Sequence, residues 1–150
     1  MSDRTVIVGM NNPLSEDPRA ALLPYPRRSA GWNLWRMAND VCNVSRSEFR
    51  RSFEFVNLCD DRLWCPIAAW AKYDALESAW AGRRVALLGR AVLGVLWLAA
   101  PPYDLRWRAG RPYLWCSLPH PSGLCREYND ETMRRAVGLR LEQEMIHAAE

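Results

Sequence analysis

The chain predicts an α/β domain of three layers, with a central four-stranded parallel sheet between helices on both faces. Two observations carry this. Short apolar runs alternate with segments of helical periodicity along the whole chain, and such alternation is the signature of a parallel sheet with helical crossovers. The helical segments also begin and end at capping residues, prolines and glycines. Helical bundles and β-sandwiches do not fit this alternation. No repeat, low-complexity tract or linker interrupts it, so residues 1–150 read as a single domain.

Val6 to Val8, closed by Gly9, forms the first strand, and a loop rich in proline (Pro13, Pro18, Pro24, Pro26) follows. Ser29 caps a helix from Ala30 to Cys42, with Leu34, Met37 and Ala38 at helical spacing. Ser45 and Glu48 form a capping box for a short second helix. Phe53 to Leu58 is the second strand. Pro66 opens a helix that runs to about Ala81 and stops at Gly82. Val85 to Leu88 is the third strand, Arg90 to Leu98 a helix broken by Pro101-Pro102, Tyr113 to Leu118 the fourth strand, and Asp130 to about Ala148 the terminal helix.

Charge is unevenly placed. Residues 27–51 hold six arginines against two acids, and residues 106–126 hold four arginines and none, whereas residues 127–150 hold three arginines and six acids. Two basic segments and an acidic tail suit a chain that turns one face to a polyanion. No segment reads as a signal peptide, and the longest apolar run, Ala91 to Ala100, falls short of the roughly 18 residues of a membrane span. The expectation is a cytoplasmic protein with no membrane partner. The five cysteines (Cys42, Cys59, Cys65, Cys116, Cys125) are odd in number and contain no CxxC pair. They read as reduced structural residues, with no metal site and no cofactor.

Ligands of open α/β sheets bind beyond the carboxyl ends of the strands. The segments lying there are residues 9–13, 57–60, 89–90 and 119–123, three of which carry uncharged polar groups. No glycine-rich phosphate loop follows the first strand, which argues against an ordinary nucleotide-binding domain.

His120-Pro121-Ser122-Gly123-Leu124-Cys125-Arg126 resembles the second motif of uracil-DNA glycosylases, and is similar to the Asn-Pro-Ser-Gly-Leu-Ser-Arg of their mismatch-specific branch. Gly9-Met10-Asn11-Asn12-Pro13 resembles the first motif, Gly-Met-Asn-Pro in the single-strand-selective branch, with one residue inserted. Asn57-Leu58-Cys59 matches that branch's second-strand end. Pro24-Tyr25, with Arg28-Ser29-Ala30-Gly31, resembles the Pro-Phe and Arg-Ala-Gly segments of the iron–sulfur branch. The four motifs stand in the family's order from Val6 to the terminal helix. No cysteine pair precedes the first motif, so the resemblance implies no iron–sulfur cluster here.

The resemblance implies a uracil-DNA glycosylase-like fold and a monofunctional DNA glycosylase. It would flip a uracil or related modified pyrimidine out of DNA, hydrolyse its N-glycosidic bond and leave an abasic site in base excision repair. Tyr25 would stack on the base, Asn57 would read its edge with donor and acceptor, and Met10 would line the base site. His120 would donate to the base carbonyl as negative charge develops. Asn11 or Asn12 would hold the attacking water; Asn12 is favoured because it directly precedes Pro13. An amide cannot act as a general base, so bond breaking would lead, unless Asp17, Asp60 or Asp61 serves instead. Ser122, Gly123 and Arg126 would contact phosphate and Leu124 would wedge into the stack. The implied partner is single- or double-stranded DNA, bound by a monomer at the nucleoid. The competing readings are a binder that keeps the fold without turnover and a glycosylase for a hypermodified base.

Overall fold

The computed structural model describes residues 3–98, 103–122 and 126–150, with Arg126 described by its backbone alone. Four strands, β1 (Thr5–Gly9), β2 (Phe53–Asn57), β3 (Arg84–Leu88) and β4 (Leu114–Leu118), form one sheet in the order β2-β1-β3-β4. Every pairing is parallel. Helices α1 (Ala30–Cys42), α2 (Arg46–Ser52), α3 (Pro66–Leu76), α4 (Gly89–Val95) and α5 (Glu131–Ala149) cover it. The three-layer α/β/α arrangement expected from the alternation is therefore the fold.

Two apolar cores lie on opposite faces because side chains alternate along each strand. Val6, Val8, Val85 and Leu87 pack with Ala69 and Tyr73 of α3 and with Val92 and Leu93 of α4. Ile7, Ala86, Leu88 and Cys116 pack with Leu34 and Met37 of α1, Phe49 of α2, and Val137 and Leu141 of α5.

Local chemistry sets most boundaries. Ser29 accepts the Trp32 N–H at 3.2 Å and starts α1, and the Ser45–Glu48 capping box starts α2. Asp130 caps α5. The segment after Pro66 departs from a uniform helix to Ala81: α3 ends at Leu76 and tightens into a 3-10 turn over Glu77–Trp80. That turn delivers Trp80 into the core beside Tyr73 and Tyr113, whose hydroxyls meet at 2.9 Å. Likewise α4 stops at Val95 rather than Leu98, because Trp97 takes a left-handed backbone (φ 57°) that a helix cannot continue through. Further 3-10 turns, at Pro18–Ala20 and Arg126–Asn129, flank the segments that become the site. No helix among the described residues is long and apolar enough to cross a membrane.

Candidate functional site

The chain leaves β1 toward β2 on one side and returns to β3 on the other, so the strand order switches between β1 and β3. A cavity of about 610 Å³ opens at the carboxyl ends around this point, where the crevice of such sheets lies. It draws together Met10, Asn11, Asn12, Tyr25, Asn57, His120 and Ser122 from four segments distant in sequence. Gly123, Leu124 and the side chain of Arg126, expected at the DNA, lie outside the described residues. Among the described residues no carboxylate lines this cavity. Arg27, Arg28 and the first turn of α1 do, so its electrostatics come from guanidinium groups, neutral dipoles and the positive end of a helix.

Asn57 ends β2 directly opposite Gly9 in the parallel register. It is 5% exposed, and its Oδ1 is buried with no hydrogen-bond partner. An unpaired buried acceptor costs on the order of 1–3 kcal/mol, a cost that a bound donor would remove. Gly9 makes the placement possible: a Cβ there would stand 2.6 Å from Asn57 Oδ1. The first-motif loop is tied to the same strand end, because Leu58 N–H donates to the Gly9 carbonyl and Cys59 N–H to that of Met10.

His120 is held in one tautomer. The Ser122 N–H donates to its Nδ1 at 3.2 Å, so Nδ1 carries no proton and the neutral ring's proton sits on Nε2. Burial holds the imidazole below its ordinary value of 6.5 and so favours this neutral form. The loop is clamped on both sides of the ring: the Tyr128 hydroxyl donates to the Pro119 carbonyl at 2.6 Å, and Asn33 Nδ2 to that of Pro121 at 2.8 Å. From below, His120 rests on Gly89, where a Cβ would lie 2.8 Å from its own Cβ and where φ is +87°. Asn33, Tyr128 and Gly89 belong to no recognition motif, and only the folded chain shows what they hold.

The two adjacent asparagines are not equivalent. Asn12 is engaged at both ends, with Nδ2 donating to the Ala20 carbonyl at 3.0 Å and Oδ1 accepting the Leu14 N–H at 2.9 Å. Asn11 donates through Nδ2 to the Arg62 carbonyl at 2.5 Å, and its Oδ1 has no hydrogen bond among the described residues. The expected preference for Asn12 thus meets a competing demand, because the amide beside Pro13 is spent on folding its own loop. The three nearby acids stand apart. Asp17 caps the 3-10 turn and pairs with Arg19, Asp60 pairs with Lys72, and Asp61 is exposed.

Tyr25 lies at the rim, 55% exposed. Its loop is fastened from α2 by Arg50, which donates to the carbonyls of Ala21 (2.6 Å) and Arg19 (2.8 Å) while stacking over Phe55. Gly31 of α1 abuts the Leu22 and Leu23 carbonyls. Cys59 and Cys65 serve the β2–α3 loop, where the Cys65 N–H meets the Cys59 sulfur at 3.3 Å. No group of three metal-ligating side chains converges among the described residues.

No protein-family model matches this chain, and no curated protein is significantly similar to it. The site's chemistry therefore rests on the geometry above and on the motifs it brings together.

Proposed function

We propose that this protein is a monofunctional DNA glycosylase acting on uracil or a related modified pyrimidine. One observation carries the reading: Asn57, whose buried amide oxygen has no partner, and a neutral imidazole whose free proton is on Nε2 line one cavity, which no carboxylate among the described residues lines. A dioxopyrimidine offers the complement, an imide N–H between two carbonyl oxygens. Asn57 takes the imide N–H and donates to the neighbouring carbonyl, while Tyr25 stacks on the ring for roughly 1–3 kcal/mol.

As the N-glycosidic bond breaks, its electron pair leaves with the base. The His120 Nε2–H meets the carbonyl oxygen where the negative charge collects, a donor typically worth about 2.7–4 kcal/mol. Water then adds to the sugar carbon and gives up a proton, which balances the base anion. With no carboxylate lining the cavity among the described residues, water is oriented rather than deprotonated, and Asn11 Oδ1, which has no hydrogen bond among them, is an acceptor that can orient it. The only lysine, Lys72, is paired with Asp60 away from the cavity, which favours hydrolysis over a Schiff base. Ser122 meets phosphate in this reading. A DNA substrate places the protein in the cytoplasm, at the nucleoid.

The cavity's size favours a second form of the reading. About 610 Å³ falls within the range of about 300–1,000 Å³ that accepts drug-sized ligands. That leaves room beside Leu14, Leu22 and Leu23 for a pyrimidine carrying a substituent.

Oligonucleotides carrying uracil or 5-substituted pyrimidines, treated with alkali after incubation, test this. Alkali-labile sites without a borohydride-trapped adduct are expected. Tight DNA binding with no base released from any substrate would leave a binder without turnover, and a trapped adduct would remove the monofunctional assignment.

A further inference from the structure

A second concavity, of about 390 Å³, begins where the base cavity ends, and Ser122 lines both. It runs between α1 and the start of α5 and continues into a third hollow of about 440 Å³ that shares Arg36, Asp40 and Arg134 with it. At the link to the base cavity Asn33, which lines the groove, donates to the Pro121 carbonyl at 2.8 Å. The groove's arginines outnumber its acids: Arg36, Arg134 and Arg135 line it against Asp40 and Glu131. Arg27 at the cavity and Arg36 in the groove lie over the same Trp32 ring, at 5.9 and 5.2 Å, and Arg135 lines the far end. Arg36 and Arg135 are exposed and make no salt bridge among the described residues.

We propose that this α1–α5 groove carries the DNA strand flanking the extracted nucleotide, with Arg36 and Arg135 binding its phosphates. The proposal rests on the glycosylase reading. Guanidinium groups suit phosphate by charge and by fork geometry. At 1.5 Å per residue Arg36 lies about 10 Å along α1 from Ser29 at the cavity, about three stacked nucleotides at 3.4 Å each. Asp40 and Glu131 stand in the same groove and oppose a phosphate there, so they weaken the interaction and limit retention.

The test is anisotropy of a fluorescent single-stranded, uracil-containing oligonucleotide across a salt series, with single-turnover excision alongside. For Arg36→Ala/Arg135→Ala the slope of log affinity against log salt should shrink by about 0.7 per arginine. Asp40→Asn should tighten binding. Arg51→Ala belongs to the same basic segment but sits at the amino end of the sheet, and should match wild type. An unchanged slope in the double variant while wild type still binds and excises would overturn the groove and leave the glycosylase reading standing. So would an equal loss in Arg51→Ala, or weaker binding in Asp40→Asn. A wild-type protein with no salt-dependent DNA binding and no base release would overturn both. All four side chains are exposed, and a thermal melt of each variant confirms that the fold persists.

Discussion

Gly9 and Asn57 face each other at the carboxyl ends of β1 and β2, and the space a Cβ on Gly9 would fill is taken by the Asn57 amide oxygen, 2.6 Å away. Glycine at the strand end leaves that space to the amide. Gly9→Ala is expected to destabilise the fold by about 1–3 kcal/mol, the scale of overpacking, and to displace the Asn57 amide. Base release below the melting temperature should then fall by tenfold or more, measured by single-turnover excision. A variant that melts early yet excises at the wild-type rate would show that Asn57 does not read the base.

The His120–Ser122 bond gives a pH dependence. Burial lowers the folded imidazole below 6.5, so the neutral donor form persists to lower pH than in the unfolded chain. Excision should be level above pH 6.5 and decline only as pH falls through the lower folded value. The same linkage makes folding less favourable on the acid side: the unfolded chain takes up the proton first, and His120's contribution to stability is lost as pH falls through its folded value. His120→Ala should cut the chemical step by about 10²–10³-fold and flatten the acid loss of stability in urea melts. An acid limb in excision that begins above pH 6.5 would contradict the neutral-donor assignment.

The asparagines should fail in different ways. Asn12 holds Ala20 and Leu14 together, so Asn12→Ala is expected to loosen the loop, costing about 1–2 kcal/mol for two hydrogen bonds to the backbone, and to weaken substrate binding. Asn11→Ala should slow the saturated chemical step on single- and double-stranded substrates alike, with little effect on affinity. Varying protein concentration in single turnover separates the two effects. If Asn12→Ala slows the saturated step and Asn11→Ala does not, the water sits on Asn12.

Stability is anchored at the other end of the sheet. Glu144 of α5, 2% exposed, accepts from Thr5 Oγ1 at 2.7 Å, Arg84 at 3.2 Å and Trp107 Nε1 at 3.2 Å. Glu144→Ala strands three donors. The Arg84 side chain is 35% exposed and can reach water, so the expected loss is about 2–3 kcal/mol, below that for a fully buried pair. A urea midpoint shift with excision unchanged at low temperature is the expected pattern. Loss of excision without loss of stability would place the network in the functional machinery.

The order and type of the elements were readable from the chain because they depend on neighbours. Ser29, the Ser45–Glu48 box, Pro66 and Asp130 act within a few residues, and an alternation of apolar runs with helical periods admits few architectures. The strand-end residues of the cavity, Met10 to Pro13, Asn57 and His120, were readable as well, since glycine, proline and uncharged polar groups beyond strand ends have little use in a core. Residues 20–31, which form much of its wall, lie in no strand-end segment. What each residue does there was decided only by distant parts of the chain. Nothing near Asn12 announces that Ala20 and Leu14 use up its amide, nothing near His120 points to Gly89, Asn33 or Tyr128, and Glu144 looks like one more charge on a solvated helix until Thr5, Arg84 and Trp107 close around it. A hydrogen bond or close contact between segments tens of residues apart leaves no periodicity to read. It depends on strand register and helix docking, and these exist only once both cores have formed.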